Sequence, residues 1–271
     1  MEKLVITVAV NGSLTTKKMN PNVPVTPEEI GEDARLCRDA GAAMVHAHAR
    51  DESGKPSLDV DIFEQIHRAI TSGSDIISQL STGGRADMDI KARGAHVAKL
   101  RPEMASLTTG SVNFPDQVYT NSEANVEYLA KVMQAAGTKP EMEIFESGMI
   151  ANSIRLQEAG LVDAPMHFDF VMGMRGGQPA DARTMLFLSE TIPTDSTWTV
   201  AALGRFQLPM ATLAIVMGGH VRVGLEDNIY YTKGVLASNS QLVERIVRIA
   251  GELGREVATP DEARQILGLR K

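Results

Sequence analysis

Short apolar, β-branched runs alternate along this chain with longer stretches whose apolar positions recur every three or four residues. The first run, Leu4–Val10, reads as a strand buried on both faces. Asn11-Gly12 ends it, and a polar loop follows. Thr26-Pro27-Glu28-Glu29 then supplies an N-cap, a proline at the first helical position and acids in the first turn. The helix it opens stops at Gly41. The unit then repeats. Further strands are predicted at Ala43–Ala49, Asp75–Leu80, Met104–Leu107, Glu141–Phe145, His167–Met172, Thr197–Ala201 and Val221–Leu225. Helices are predicted near Asp59–Thr71, Asp89–Leu100, Ser122–Ala136, Met149–Ala159, Ala180–Glu190, Leu208–Met217 and Gln241–Leu253, with a short last one opened by Thr259. Eight strand–helix units over about 250 residues are the pattern of an α/β chain closed into one (β/α)8 TIM barrel, a single domain over residues 1–271. The alternative, an open doubly wound sheet, would carry a glycine fingerprint after the first strand, where this chain has only Gly12.

Active sites of such barrels lie at the C-terminal ends of the strands. Val45-His46-Ala47-His48-Ala49-Arg50 is the telling stretch. Side chains alternate across a strand, so His46 and His48 share a face and can close on one divalent metal. The plain alternative is two hydrogen-bonded, inert imidazoles near a strand end. On the last strand, His220, Arg222, Gly224 and Glu226 share a face. A closed barrel sets that strand beside the first and one away from the second. Glu226 can then complete a site of two histidines and one glutamate with an open position, the catalytic arrangement for zinc. Alternatively, Glu226-Asp227 caps the segment that follows. Arg222 inside a barrel demands a carboxylate partner, such as Glu143, or an anionic intermediate. Asp227, beside the cation but not needed as a ligand, suits a general base. Ser81-Thr82-Gly83-Gly84 offers hydroxyls and backbone N–H groups to an anion. His220 starts its strand and suits a structural role.

Composition narrows the classes. With 27 basic and 34 acidic residues the net charge is −7, and no basic block suggests nucleic acid. Cys37 is the only cysteine, which excludes an intrachain disulfide. No apolar run is long enough to span a bilayer and none has a signal-peptide pattern, so a cytoplasmic enzyme is expected.

Ile6–Gly12, Val25–Glu29, Ala40-Gly41-Ala42 with the His-x-His strand, Leu80–Gly84, Pro140–Gly148 and Gly218–Asn228 together resemble the β-keto acid cleavage enzymes over nearly the whole chain. The resemblance implies a barrel, a homotetramer and one zinc ion held by His46, His48 and Glu226. It implies condensation of a β-keto acid with acetyl-CoA, releasing acetoacetate and a new acyl-CoA. Asp227 matches the base that removes the C2 proton, and Arg222 the cation that, with zinc, holds the developing charge. Glu143 is expected to orient Arg222. Ser81 matches a substrate-binding serine and Gly84 a backbone donor. Ser106 stands for the family's threonine, and Thr108 for an asparagine two residues on. Leu14 stands where the members acting on 3-keto-5-aminohexanoate carry a glutamate for the substrate ammonium. An amine against Leu14 loses its partner and is desolvated, so the expected substrate bears no amine. A quaternary ammonium needs no hydrogen-bond acceptor, but an aromatic share of 4% offers no obvious cage. The rivals are another zinc-dependent barrel aldolase or hydrolase, or a metal-stabilised binding barrel without activity.

Overall fold

The computed structural model describes residues 2–84, 88–115 and 117–269. Eight parallel strands close into a barrel in sequence order: β1 (Ile6–Ala9), β2 (Met44–Ala47), β3 (Ile77–Leu80), β4 (Met104–Thr108), β5 (Lys139–Ile144), β6 (His167–Met172), β7 (Thr197–Ala202) and β8 (His220–Val223), with β8 hydrogen-bonded to β1. Around them lie α1 (Pro27–Ala40), α2 (Val60–Gly73), α3 (Ile90–Leu100), α4 (Glu123–Ala136), α5 (Gly148–Glu158), α6 (Ala182–Thr191), α7 (Gln207–Met217), α8 (Asn239–Glu252) and α9 (Pro260–Ile266). The start of α1 has the expected capping box, with Thr26 accepting from the Glu29 amide and Glu29 reaching back to the Thr26 amide. Every expected strand and helix forms, with ends displaced by a few residues. Two small hairpins were not expected: Val112–Asn113 with Val118–Tyr119, and Tyr230–Thr232 with Val235–Leu236. Strands of two or three residues are too short to show an alternation.

The barrel strands are buried throughout, but their two faces differ. Val8, Val45, Leu80, Met142, Phe168, Phe170, Val200 and Val221 belong to the apolar core. Alternating with them, Thr7, His46, Gln79, Glu141, His167, Asp169, Thr199 and Arg222 are also buried. The barrel interior is therefore polar, with charged contacts such as His167–Glu141 at 3.3 Å. At the N-terminal mouth, Val5, Met44, Ile77 and Met104 pack on Ala263 and Leu267, so α9 plugs the end opposite the strand C-termini. Polar chemistry is left only one open end.

Asn239, at the start of α8, fastens that open end. Its side chain accepts from the Leu225 amide at 2.8 Å and donates to the Val10 carbonyl at 2.9 Å and to Asp33 of α1. Burial pushes the Asp33 carboxyl up from 3.8 to about 6. The folded chain then binds more protons than the unfolded chain between those values, so this group's contribution to stability falls as pH rises from about 4 to about 6 and is level above. The loss is on the order of 3 kcal/mol. Asp33→Asn keeps an acceptor for Asn239 and is expected to flatten that part of the curve; denaturant midpoints between pH 4 and pH 7 measure it, and an unaltered slope would refute the assignment.

Candidate active site

His46 lies one residue before the end of β2, level with Ala9 of β1, and His48 follows on the same face. His46 Nδ1 lies 2.6 Å from Gln79 Oε1 on β3. That contact places the proton on Nδ1 and leaves Nε2 a lone pair. Burial lowers the His46 pKa to about 4, so the ring is neutral. The backbone of His48 is clipped by Asn11, whose Oδ1 accepts from the His48 amide and whose Nδ2 donates to its carbonyl, both at 3.0 Å. Arg50 secures the same loop through the Gly12 carbonyl.

Glu226 reaches these histidines because the chain beyond β8 stays bonded to β1, the Glu226 amide donating to the Ala9 carbonyl at 3.1 Å. Two glycines make the approach. At Gly224 (φ +141°) a Cβ would lie 2.1 Å from the Ala9 oxygen, and at Gly12 (φ +61°) 2.5 Å from Glu226 Cγ. Glu226 Oε1 is 3.2 Å from His48 Nε2, Oε2 is 3.7 Å from His46 Nε2, and the two Nε2 atoms are 3.2 Å apart. Two donors about 2.0–2.1 Å from one tetrahedral ion stand about 3.3 Å apart. Glu226 Oε2 is buried without a hydrogen-bond partner. The three side chains therefore fit a shared divalent cation, and among the described residues they are the one such cluster.

Arg222 stands next to this cluster. Its Nε and Nη2 donate to Asp227 Oδ2 and Oδ1 at 3.0 and 3.1 Å, and Nη2 is 3.0 Å from Glu226 Oε1. Nη1 faces Asp169 at 3.6 Å and Glu143 at 3.8 Å. Burial works against the Arg222 charge, but Asp227, Glu226 and Asp169 outweigh it and hold the guanidinium protonated. Burial lifts Asp227 to about 6 against the pull of Arg222. Burial also raises Glu143, and, joined by the Glu141 charge, raises Asp169 well above the carboxylate range. Burial would raise Glu226 too, yet Arg222 and the two imidazoles hold it well below its ordinary value. Of the four carboxyls around the guanidinium, Glu226 and Asp227 by themselves set two negative charges at neutral pH against its one positive charge, an excess that a dication offsets.

A cavity of about 210 Å³ opens from the cluster. His48, Glu226, Glu143, Ser81, Gly84 and Leu14 are among the residues that line it. Ser106 and Thr108 lie just outside that lining. Ser106 Oγ accepts from the Thr82 amide at 3.3 Å, and Thr108 Oγ1 donates to Glu143 Oε2 at 2.6 Å. Leu14 is 81% exposed, which leaves it free to meet a ligand at the rim. His220 Nδ1 accepts from the Val5 amide at 3.1 Å, at the opposite end of the barrel. Gln79 and Asp169 escaped the sequence reading, although strand parity puts Asp169 on the same face as His167. Phe63, Phe114, Tyr119 and Phe145 also line this one cavity, a gathering that the four-percent aromatic share does not foretell.

A parallel barrel with a His-His-Glu cluster, a buried Arg–Asp pair and a cavity at its open end is the framework of an enzyme. Residues 3–269 match the beta-keto acid cleavage enzyme family, and the chain belongs to that family. It is 51% identical over 274 residues, the full length of both chains, to the 3-keto-5-aminohexanoate cleavage enzyme of Fusobacterium nucleatum subsp. nucleatum. It is 43% identical to the 3-oxoadipate:acetyl-CoA acetyltransferase of Cupriavidus necator, covering 98% of this chain and 94% of that one. The apo structure of ObcA shares the fold, with a TM-score of 0.81 at 22% identity over 92% of this chain and 66% of that one.

Proposed function

We propose that the protein is a zinc-dependent acyltransferase that condenses a β-keto acid with acetyl-CoA to give acetoacetate and a new acyl-CoA. The carrying observation is the His46–His48–Glu226 cluster opening on a cavity, with Asp227 and Arg222 directly behind it. When bound there, a divalent ion supplies Lewis-acid polarisation of the 3-oxo acid. Asp227 takes the C2 proton, its affinity for protons already raised by burial. Arg222 offsets the negative charge that develops on the substrate, in a setting where fixed charges act strongly. Glu143, tied to Thr108, faces the free Nη1 of Arg222 and orients it. Ser81 and the Gly84 amide receive the substrate carboxylate. The substrate carbanion attacks the thioester of acetyl-CoA; the expelled thiolate attacks the original keto carbon, and cleavage of the bond between that carbon and C2 releases the acyl-CoA and the acetoacetate carbanion, which takes the proton back from Asp227. No nucleophilic side chain is consumed.

No helix among the described residues is long and apolar enough to cross a membrane. On the family resemblance the enzyme works as a cytoplasmic homotetramer, which sedimentation would test. A coupled acyl-CoA assay over a panel of 3-oxo acids tests the reaction itself. Turnover should require acetyl-CoA, disappear with a chelator and return with zinc; turnover without acetyl-CoA would refute it.

Leu14 bears on the substrate, which we take to lack an amine. Leu14→Glu is expected to raise kcat/KM for an ammonium-tailed 3-oxo acid about tenfold relative to an alkyl-tailed one, the effect of about 1.4 kcal/mol from a new charge partner. An unchanged ranking across the panel would remove Leu14 from the specificity pocket.

A further inference from the structure

The segment after β1, Asn11–Thr15, belongs to no strand or helix, yet it touches two of the three residues of the metal cluster. Asn11 clips the His48 backbone through both its amide and its carbonyl. Gly12 lies so close to Glu226 that a Cβ there would stand 2.5 Å from Cγ. Irregular backbone buried in a barrel mouth needs donors for its carbonyls. Arg50, 4% exposed, supplies them. Its Nε and Nη2 donate to the Gly12 carbonyl at 3.1 and 2.6 Å, and Nη2 also donates to the carbonyls of Asn11 at 3.2 Å and Thr15 at 2.5 Å. Its Nη1 donates to the Gly54 carbonyl at 3.0 Å, which ties the loop after β1 to the loop after β2.

These hydrogen bonds all go to backbone carbonyls. Burial lowers the Arg50 pKa, and the charge that works against the fall is Glu226. The rigid, planar fork is what lets one side chain hold Gly12, Thr15 and Gly54 together. A lysine ammonium carries the same charge but gathers its three donors on one atom, so it cannot span that set.

We infer that Arg50 is a positioning residue for the metal site: by gripping the Asn11–Thr15 loop it holds His48 and Glu226 at the separation a shared cation requires. It acts through the loop and touches neither the ion nor the substrate. The inference rests on the reading above that His46, His48 and Glu226 hold a divalent ion.

Zinc affinity of the purified protein, measured by competition with a chelator, tests it together with the visible spectrum of the cobalt-loaded form, which reports the ligand set. Residues that orient metal ligands from behind are worth about tenfold to a hundredfold in affinity. Arg50→Lys should weaken zinc about tenfold and alter the cobalt band, and Arg50→Gln should weaken it at least as much. A role through charge alone gives the opposite pattern: Arg50→Lys would match wild type, and Arg50→Gln, which removes a positive charge from beside the cluster, would bind zinc more tightly. Either of those results overturns the inference, as does a lower melting temperature with zinc affinity and cobalt band unchanged. The wild-type protein supplies a check that needs no variant. Coupling between loop and metal is reciprocal, so zinc should slow amide hydrogen exchange across Asn11–Thr15. Unchanged exchange there would overturn the inference even if neither variant folded. Wild-type protein that takes up neither zinc nor cobalt defeats the metal reading itself; normal uptake with indifferent Arg50 variants defeats this inference alone.

Discussion

Glu226→Ala is expected to lose bound metal and activity together. The carboxylate is the one anionic member of the cluster, and its Oε1 also lies 3.0 Å from Arg222 Nη2. Removing it leaves two imidazoles beside a guanidinium that is still paired with Asp227, so a dication loses its third ligand and its nearest counter-charge together. Polarisation by a bound ion contributes several kcal/mol to such a reaction, so kcat/KM should fall at least about a thousandfold. The fold should survive. Leu225 remains fastened by Asn239, and the Glu226 backbone amide still donates to Ala9. Elemental analysis and a thermal melt of the purified variant separate these outcomes. Full zinc occupancy in Glu226→Ala would defeat the ligand assignment, whatever the activity.

How much of this was legible without coordinates depended on the distance over which the signal acts. His46 and His48 lie two residues apart, and β-strand geometry alone sets them on one face. Glu226 required only that the eighth strand close against the first, which the count of strand–helix units implied. Gln79 is different. Its contact with His46 depends on the register between β2 and β3, where His46 pairs with Gln79, and registers between parallel strands joined by helices leave no local mark. Asn11 was visible as a polar residue at a strand end, but its two bonds to the His48 backbone were not. The polar barrel interior was missed because isolated residues such as Thr7 and Gln79 sit in runs that read as apolar on both faces. The gathering of aromatics was hidden for a related reason: composition is averaged over the chain, whereas the fold brings Phe63, Phe114, Tyr119 and Phe145 around one space. Nothing local in the sequence marks Arg93 as buried, because the hairpin at Val118–Tyr119 that helps to cover it is itself too short to foresee.

Asp227→Asn makes the sharpest contrast with the loss of Glu226. Here the metal should stay, because Asp227 is outside the His46–His48–Glu226 cluster. Asparagine keeps one oxygen to accept from Arg222, but its amide nitrogen meets a guanidinium donor where Asp227 offered a second oxygen. A stability loss on the order of 1–3 kcal/mol follows from that mismatch at a buried charged partner. The catalytic loss should be much larger. A positioned general base is worth about a hundredfold to ten-thousandfold, and an amide cannot take the C2 proton at all. The proton step can be observed on its own: with zinc and a 3-oxo acid in D2O but no acetyl-CoA, the wild-type enzyme should exchange the C2 hydrogens, followed by NMR. Asp227→Asn should exchange them at close to the rate without protein, while binding the acid with affinity within a few-fold of wild type. Exchange at the wild-type rate in the variant would assign the base to another group, and Glu143, whose carboxyl burial also raises and which lines the same cavity, would be the next to test.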